Sequence, residues 1–156
     1  MGFHIIAGTR SKYRSQKVVF RGIEFDSTHE RDFYIKLLGL LREGKISGLR
    51  LQTKFLLIPK TTKIVAVQLK TKVRYDVRVV EKEAVYHNDF TFYDNEKQVY
   101  VCCEYKSEVT SKLADYILRR KLMVKKIYEH NSKGRSKWVF REVIYYNIRK
   151  TTIEDK

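Results

Sequence analysis

Between positions 85 and 106 the chain carries two β-rich runs, 85–93 and 98–106, separated by the polar, Asx-containing segment Asp94-Asn95-Glu96-Lys97. That composition predicts a hairpin loop. The second run contains Val99–Cys103, almost continuously apolar, which predicts a strand buried on both faces. With residues 94–97 as the loop, position 93 faces 98 and position 89 faces 102. Side chains repeat on one face every second residue, so Asp89, Glu104 and Lys106 project to the same side. A register slip of two residues sets Asp89 directly opposite Glu104 and keeps the group together. Only a slip of one separates it.

The remaining pattern supplies the elements around this hairpin. Asp26-Ser27-Thr28 has helix N-cap chemistry, and Phe33, Tyr34, Leu37, Leu38 and Leu41 follow with helical spacing; the helix should end near Gly44. Before it, Phe20–Phe25 reads as a short strand or turn broken at Gly22. After it, 49–58 reads as a strand ended by Pro59, 60–64 as a Lys/Thr turn, and 64–68 and 73–80 as two further strands. Beyond the hairpin, a helix is expected over about 111–129, with Leu113, Ile117, Met123, Val124 and Ile127 as packing positions. Trp138–Asn147 forms a last strand, and 148–156 is expected to fray. Residues 1–19 read as a basic arm ahead of a single domain whose core spans about 20–147.

Charge changes the picture of what this domain meets. Lys and Arg total 33 against 18 Asp and Glu, a formal net charge of +15 spread along 156 residues. A folded domain so basic most plausibly meets a polyanion, with nucleic acid the first candidate. The expected contacts are Arg10, Lys12, Arg14 and Lys17 in the arm, Lys112, Arg119, Arg120, Lys125 and Lys126 on the long helix, and Lys133, Arg135 and Lys137 in the loop after it. A merely solvated basic face is the alternative. No run approaches the roughly 18 apolar residues of a membrane span, and the N-terminus is too short for a secretory core; a soluble cytoplasmic protein is expected. Adjacent Cys102 and Cys103 suit packing in a reducing compartment rather than a disulfide.

The candidate chemistry lies in the acids. Two carboxylates and a lysine gathered at the end of a buried strand need stabilisation, and a hard divalent cation with oxygen ligands is the usual source. The competing reading is a surface ion pair between Glu104 and Lys106. Glu30 stands three residues after Ser27, which is capping-box spacing, yet it leads the apolar stripe of the helix and so is also available to a buried site. Asp76, between Arg74 and Arg78, reads as a solvated cross-strand partner. His4, His29, His87 and His130 show no paired metal-ligand spacing, and the seven glycines form no phosphate-binding loop.

The order helix, strands with a hairpin, helix, strand, with acids on the first helix and on two adjacent strands, resembles the PD-(D/E)XK nuclease superfamily. Asn88-Asp89 stands where that motif has Pro-Asp, and Glu104-Tyr105-Lys106 stands at (D/E)-x-K, 15 positions later. More closely, Ser11–Tyr13, Gly22–Ser27, Glu30, Leu51–Pro59 and Asn88–Phe90 are similar to a family of small phage and prophage proteins described as Holliday-junction-resolvase-like. That likeness covers about 11–146, with departures at Asn88 and at Tyr13-Arg14-Ser15, where the family tends to have Tyr-Gly-Asn. The resemblance implies an α/β (α+β) fold with a restriction-endonuclease-like αβββαβ core, in which helices flank a mixed central sheet. It implies a Mg²⁺-dependent endonuclease, Mn²⁺ substituting, that cuts branched DNA as a homodimer and takes no nucleotide cofactor. Asp89, Glu104 and Glu30 would be the metal ligands, and Lys106 would complete the catalytic set. A purely architectural DNA binder would use the same basic surface, with Glu104 and Lys106 as an ordinary ion pair.

Overall fold

Cys102 and Cys103 mark the middle of the molecule, both fully buried and on opposite faces of one strand. In the computed structural model, which describes residues 16–134, 136–147 and 149–156, that strand is β7 (Val99–Ser107) of a mixed five-stranded sheet. The others are β3 (Ile46–Ile58), β6 (Ala84–Asp94), β8 (Trp138–Asn147) and β9 (Lys150–Asp155), in the order β3-β6-β7-β8-β9. Only β7 and β8 run parallel, so the chain must cross the sheet between them. It does so through α2 (Glu108–Ser111) and α3 (Ala114–Ser132). The chain is therefore mixed α/β. None of its described helices is long and apolar enough to cross a membrane.

Two apolar layers follow from the alternation of β6 and β7. Phe90, Phe92, Val101 and Cys103 pack with Tyr34 and Leu37 of α1 (Thr28–Arg42), and with Phe25 of β2 (Ile23–Phe25). Cys102 turns the other way, to Tyr86, Phe140, and Met123 and Ile127 of α3. The expectation of a strand buried on both faces holds for β7. Helix α1 starts and stops as its sequence predicts: the Ser27 hydroxyl accepts from Glu30 N–H at 3.1 Å, and Gly44 follows the C-cap with φ 71°. Ahead of it, β1 (Val18–Phe20) pairs with β2 through Arg21-Gly22, both at positive φ, as a two-residue hairpin turn requires.

Five predicted boundaries are corrected. The central hairpin pairs Phe90 with Cys103 and Asp94 with Val99, the register two residues from the one expected with a 94–97 loop. The cause is Asp94, whose carboxylate accepts from the N–H groups of Glu96 and Lys97 at 3.2 and 3.0 Å and starts the turn from inside the ladder. The Lys/Thr turn at 60–64 is instead the start of β4 (Thr61–Gln68), which pairs with β5 (Val73–Glu81) in a two-stranded sheet of their own. The helix expected over 111–129 is divided, because Ser107 caps a turn from Glu108 and Leu113 is extended, with ψ 133°. Of the expected arm, Val18 and Val19 belong to β1 and residues 1–15 lie outside the described set. The tail expected to fray forms β9, antiparallel to β8. Its polar sequence hides it, since the anchor is ionic: Arg141 holds Asp155 at 2.6 Å and Asp94 at 3.4 Å, and Lys97 reaches Asp155 at 2.9 Å.

Behind the sheet, Glu142 of β8 is 2 % exposed and surrounded by donors. The Tyr116 hydroxyl donates to it at 2.7 Å, Arg120 pairs with it at 2.8 Å and Lys156 at 3.2 Å. Those donors hold the Glu142 carboxyl below the usual carboxylate range against the burial that would raise it. Arg120, expected on the DNA-facing side, is thus committed to the interior, whereas its neighbour Arg119 pairs with Asp115 in the open. Arg120→Ala should lower unfolding free energy by about 2 kcal/mol, because a buried carboxylate loses a charged donor. Arg119→Ala should change it by less than about 0.5 kcal/mol. Urea denaturation of the two variants checks the contrast.

Candidate active site

The ladder between β6 and β7 runs from the Asp94–Val99 pair to the Phe90–Cys103 pair. One residue further along β6, a side chain takes over the pairing: the Asp89 carboxylate accepts from the Tyr105 N–H at 2.8 Å. Asn88 supports this change from within. Fully buried, its amide donates to the Phe90 carbonyl and bonds the Thr91 hydroxyl at 3.0 Å, so the backbone here is held by side-chain bonds. Asn88 occupies the position where the resembled motif has proline, and its polarity was the only sign of this role.

Glu104 and Lys106 follow on β7. The Lys106 ammonium lies 2.5 Å from Glu104 Oε1 and 3.6 Å from Asp89 Oδ2, and 5.6 Å from the centre of the Tyr116 ring. The structure therefore gathers Asp89, Glu104 and Lys106 as the alternation predicts. This is no exposed ion pair, since Glu104 is 3 % exposed. Glu30 approaches from α1, buried, with Oε2 accepting from the Asp26 N–H at 3.2 Å. It both serves the helix start and faces the acids: capping and site membership coexist.

These residues line one cleft of about 1080 Å³, opening between the start of α1, the α2–α3 junction and the ends of β6 and β7. The His29 and Tyr145 rings meet at 3.9 Å between centroids, tilted by 37°, in its wall, and Arg119 reaches its rim. The aromatic members Tyr86, Tyr116 and Tyr145 went unpredicted, because each reads as core when only sequence spacing is available.

Electrostatics follow from burial of like charges. Burial pushes the Glu104 carboxyl up to about 7, the Asp89 charge adding and Lys106 opposing. Burial likewise pushes Glu30 up to about 7, again with Asp89 adding, against the Asp26 N–H. Asp89 itself is raised by burial, with Lys106 and the Tyr105 N–H resisting. For Lys106 burial favours the neutral amine, but Asp89 and Glu104 outweigh it and the ammonium persists. The Tyr86 hydroxyl, buried near Glu104, stays protonated.

A cation fits two of the three expected ligands. Glu104 Oε2 and the Tyr86 hydroxyl are both buried with no hydrogen-bond partner among the described residues, and the two stand close enough for Tyr86 to draw the Glu104 carboxyl down against its burial. With Asp89 beside it, the donor set is hard oxygen, and a small divalent ion commonly takes only one or two protein carboxylates and fills its remaining positions with water or phosphate. Glu30 does not complete a three-ligand cluster: among the described residues no three His, Cys, Asp or Glu side chains stand together in ligating arrangement. Its carboxylate is held by the Asp26 N–H.

The expected DNA contacts divide. Lys17 pairs with Glu24, Lys112 with Glu108 at 2.7 Å, Arg119 with Asp115 and Lys125 with Glu129, so the helix is less positive than its Lys and Arg suggest. Lys126, Lys133 and Lys137 are exposed; Arg10, Lys12, Arg14 and Arg135 lie outside the described residues. Asp76 lies away from the cleft as expected, but its partner is Arg74 of the same strand at 2.8 Å rather than a residue across the ladder, where Val65 stands opposite.

A family model described as "Protein of unknown function (DUF1064)" matches residues 10–147. No curated protein and no solved structure matches the chain.

The raised carboxyls fix a pH dependence. Between pH about 4.5 and 7 the folded protein retains protons on Glu104 and Glu30 that the unfolded chain has released, so stability falls as pH rises through that window. The depressed Asp155, at about 2, has given its full contribution by about pH 4 and does not mask the fall. In EDTA, the urea midpoint should be lower at pH 8 than at pH 5, and Glu104→Gln should show a shallower decline. Equal slopes would show that Glu104 is not desolvated as described.

Proposed function

This chain belongs to the DUF1064 family, and we propose that it is a divalent-cation-dependent endodeoxyribonuclease that cuts branched DNA. One observation carries the reading: Asp89 and Glu104 share the half-buried Lys106 ammonium at the floor of an open cleft, and Glu104 Oε2 and the neighbouring Tyr86 hydroxyl are both buried without a hydrogen-bond partner among the described residues. A fold has little reason to desolvate two acids and leave one oxygen unsatisfied unless something else binds there. The net charge of +15 supplies the attraction for a polyanion. In this reading α1, β3, β6, β7, α3 and β8 correspond to the restriction-endonuclease-like core, with β4–β5 inserted and β9 added.

The roles follow from position. Asp89 and Glu104 would hold Mg²⁺. Such an ion, when bound, polarises the scissile phosphate and lowers the pKa of a coordinated water. Lys106, kept charged by the two acids, presents an ammonium to the negative charge that builds on the phosphate in the transition state. Glu30 accepts a hydrogen bond from the attacking water. Its pKa near 7 suits proton exchange with that water at neutral pH. Homodimerisation belongs to the same reading, since two incisions in a branched substrate need two such clefts.

The proposal is tested on labelled junction, flap and linear duplex with Mg²⁺ or EDTA. Glu104→Gln and Asp89→Asn should each reduce cleavage by about a hundredfold or more while leaving DNA affinity nearly unchanged. Glu43→Gln, exposed at the end of α1 and outside the cleft, should retain full activity. Cleavage by Glu104→Gln at the wild-type rate would remove the assignment and favour an architectural DNA binder, in which Lys106 merely neutralises its neighbours.

Glu30→Gln separates the two duties of that residue. Glutamine keeps an acceptor for the Asp26 N–H and removes a charge that burial disfavours, so the melting temperature should hold or rise at neutral pH. Turnover should fall at least about tenfold, as loss of a proton-exchanging group requires. Normal turnover with a lower melting temperature would reduce Glu30 to a capping residue.

A further inference from the structure

The hairpin β4–β5 belongs to neither core. It pairs only with itself, and the ladder between β3 and β6 ends at the Ile58–Ala84 pair, just before its root. Its register sorts the side chains by chemistry. Lys63 opposes Arg78, Val65 opposes Asp76 and Val67 opposes Arg74 on one face; Ile64 opposes Val77, Ala66 opposes Tyr75 and Thr62 opposes Val79 on the other. The second face is bare, with Ile64, Tyr75 and Val77 all at least 70 % exposed. Large exposed apolar faces mark binding surfaces.

The charge of the ribbon selects the partner. From Lys60 to Lys82 the chain holds seven Lys and Arg against two acids, Asp76 and Glu81. Only Arg74 is engaged, by Asp76; among the described residues Lys63, Lys70, Lys72 and Arg78 make no salt bridge. A second copy would bring the same sign of charge to the interface and be repelled. A two-stranded ribbon does fit the major groove of duplex DNA, about 12 Å wide, where apolar side chains meet thymine methyls and long cations reach the phosphates. The position agrees. Asp89 lies five residues beyond Ala84 along β6, so at about 3.3 Å per residue the root of the ribbon is roughly 17 Å from the acids. A duplex seated at the cleft meets the ribbon within two turns of its own helix.

We propose that β4–β5 is a duplex-DNA-binding ribbon that enters a groove beside the cleft, its apolar face of Ile64, Tyr75 and Val77 against the base edges, while Lys63 and Arg78 on the opposite face and Lys72 in the turn reach past the ribbon's edges to the phosphates at the groove rim. It rests on the nucleic-acid reading above, but not on cleavage.

The test measures binding of the full chain to a fluorescent linear duplex in EDTA over a series of salt concentrations. Combining Lys63→Gln, Lys72→Gln and Arg78→Gln should weaken binding at low salt at least about tenfold. It should also flatten the slope of log affinity against log salt by about 2–3, close to one for each phosphate that the variant no longer neutralises. Ile64→Ser with Val77→Ser should weaken binding while leaving the slope nearly intact. Circular dichroism confirms that both variants fold. If the wild-type chain binds the duplex and the triple variant matches it in affinity and slope, the ribbon assignment falls and the cleavage reading stands. If the wild-type chain binds no DNA, both fall. If the Ile64 and Val77 changes break a dimer in light scattering while duplex affinity persists, the apolar face is a protein interface and the proposal is overturned.

Discussion

Burial of charge just beyond the end of the β6–β7 ladder is the constraint on which the site depends. Acids on two neighbouring strands, both largely removed from water, would repel and would favour protonation over charge. Lys106 answers part of that cost by lying between them, and the Tyr105 N–H answers more by donating to Asp89, although burial still leaves both carboxyls raised. What is left over is one oxygen of Glu104. The fold has satisfied the cluster almost to the end and stopped at this buried oxygen and the Tyr86 hydroxyl near it.

The two apolar layers serve this arrangement by fixing both strands from both sides. Phe90 and Cys103 are locked against α1, Cys102 against α3, so the positions after them have little freedom. The polar residues that support the site are also held from within: Asn88 bonds its own strand, and Tyr116 is pinned through its hydroxyl to Glu142. A second buried acid thus steadies the aromatic wall of the first. Glu142 differs from Glu104 in having three donors, and its carboxyl is correspondingly held low while that of Glu104 rises.

The central hairpin and its acids were legible because alternation alone forces Asp89, Glu104 and Lys106 onto one side, whichever of the two compatible registers the loop selects. The buried strand was legible because Val99–Cys103 is apolar at every position, and α1 because cap, stripe and glycine agree. What stayed hidden has a common physical cause. The register shift, the added strand β9 and the interior role of Arg120 are set by polar side chains choosing partners far along the chain: Asp94 with its own turn, Asp155 with Arg141, Arg120 with Glu142. Charge patterns identify such residues as solvated by default, and only the fold supplies the partner. The separate sheet β4–β5 escaped for the opposite reason, because alternating strands read alike whether or not they join the main sheet.

The distribution of charge ties these parts together. In a chain with a large positive excess, Glu30, Glu104 and Glu142 are among the buried polar groups and Asp89 is partly buried, whereas the exposed cations of β4–β5 and of the α3 side stand outside. A polyanion is therefore attracted by the surface and opposed at the cleft floor, where the acids lie. The two effects act at different ranges. Surface attraction extends over a Debye length, about 8–10 Å in ordinary salt, while opposition from a buried pair already neutralised in part by Lys106 is short-ranged. In the proposed reading, attraction would bring a nucleic-acid backbone in before the acids resist it. Close approach would then leave a local excess of negative charge between phosphate and carboxylates, the condition in which a bridging cation is most strongly held. The unpartnered oxygen of Glu104 stands where that excess would be greatest.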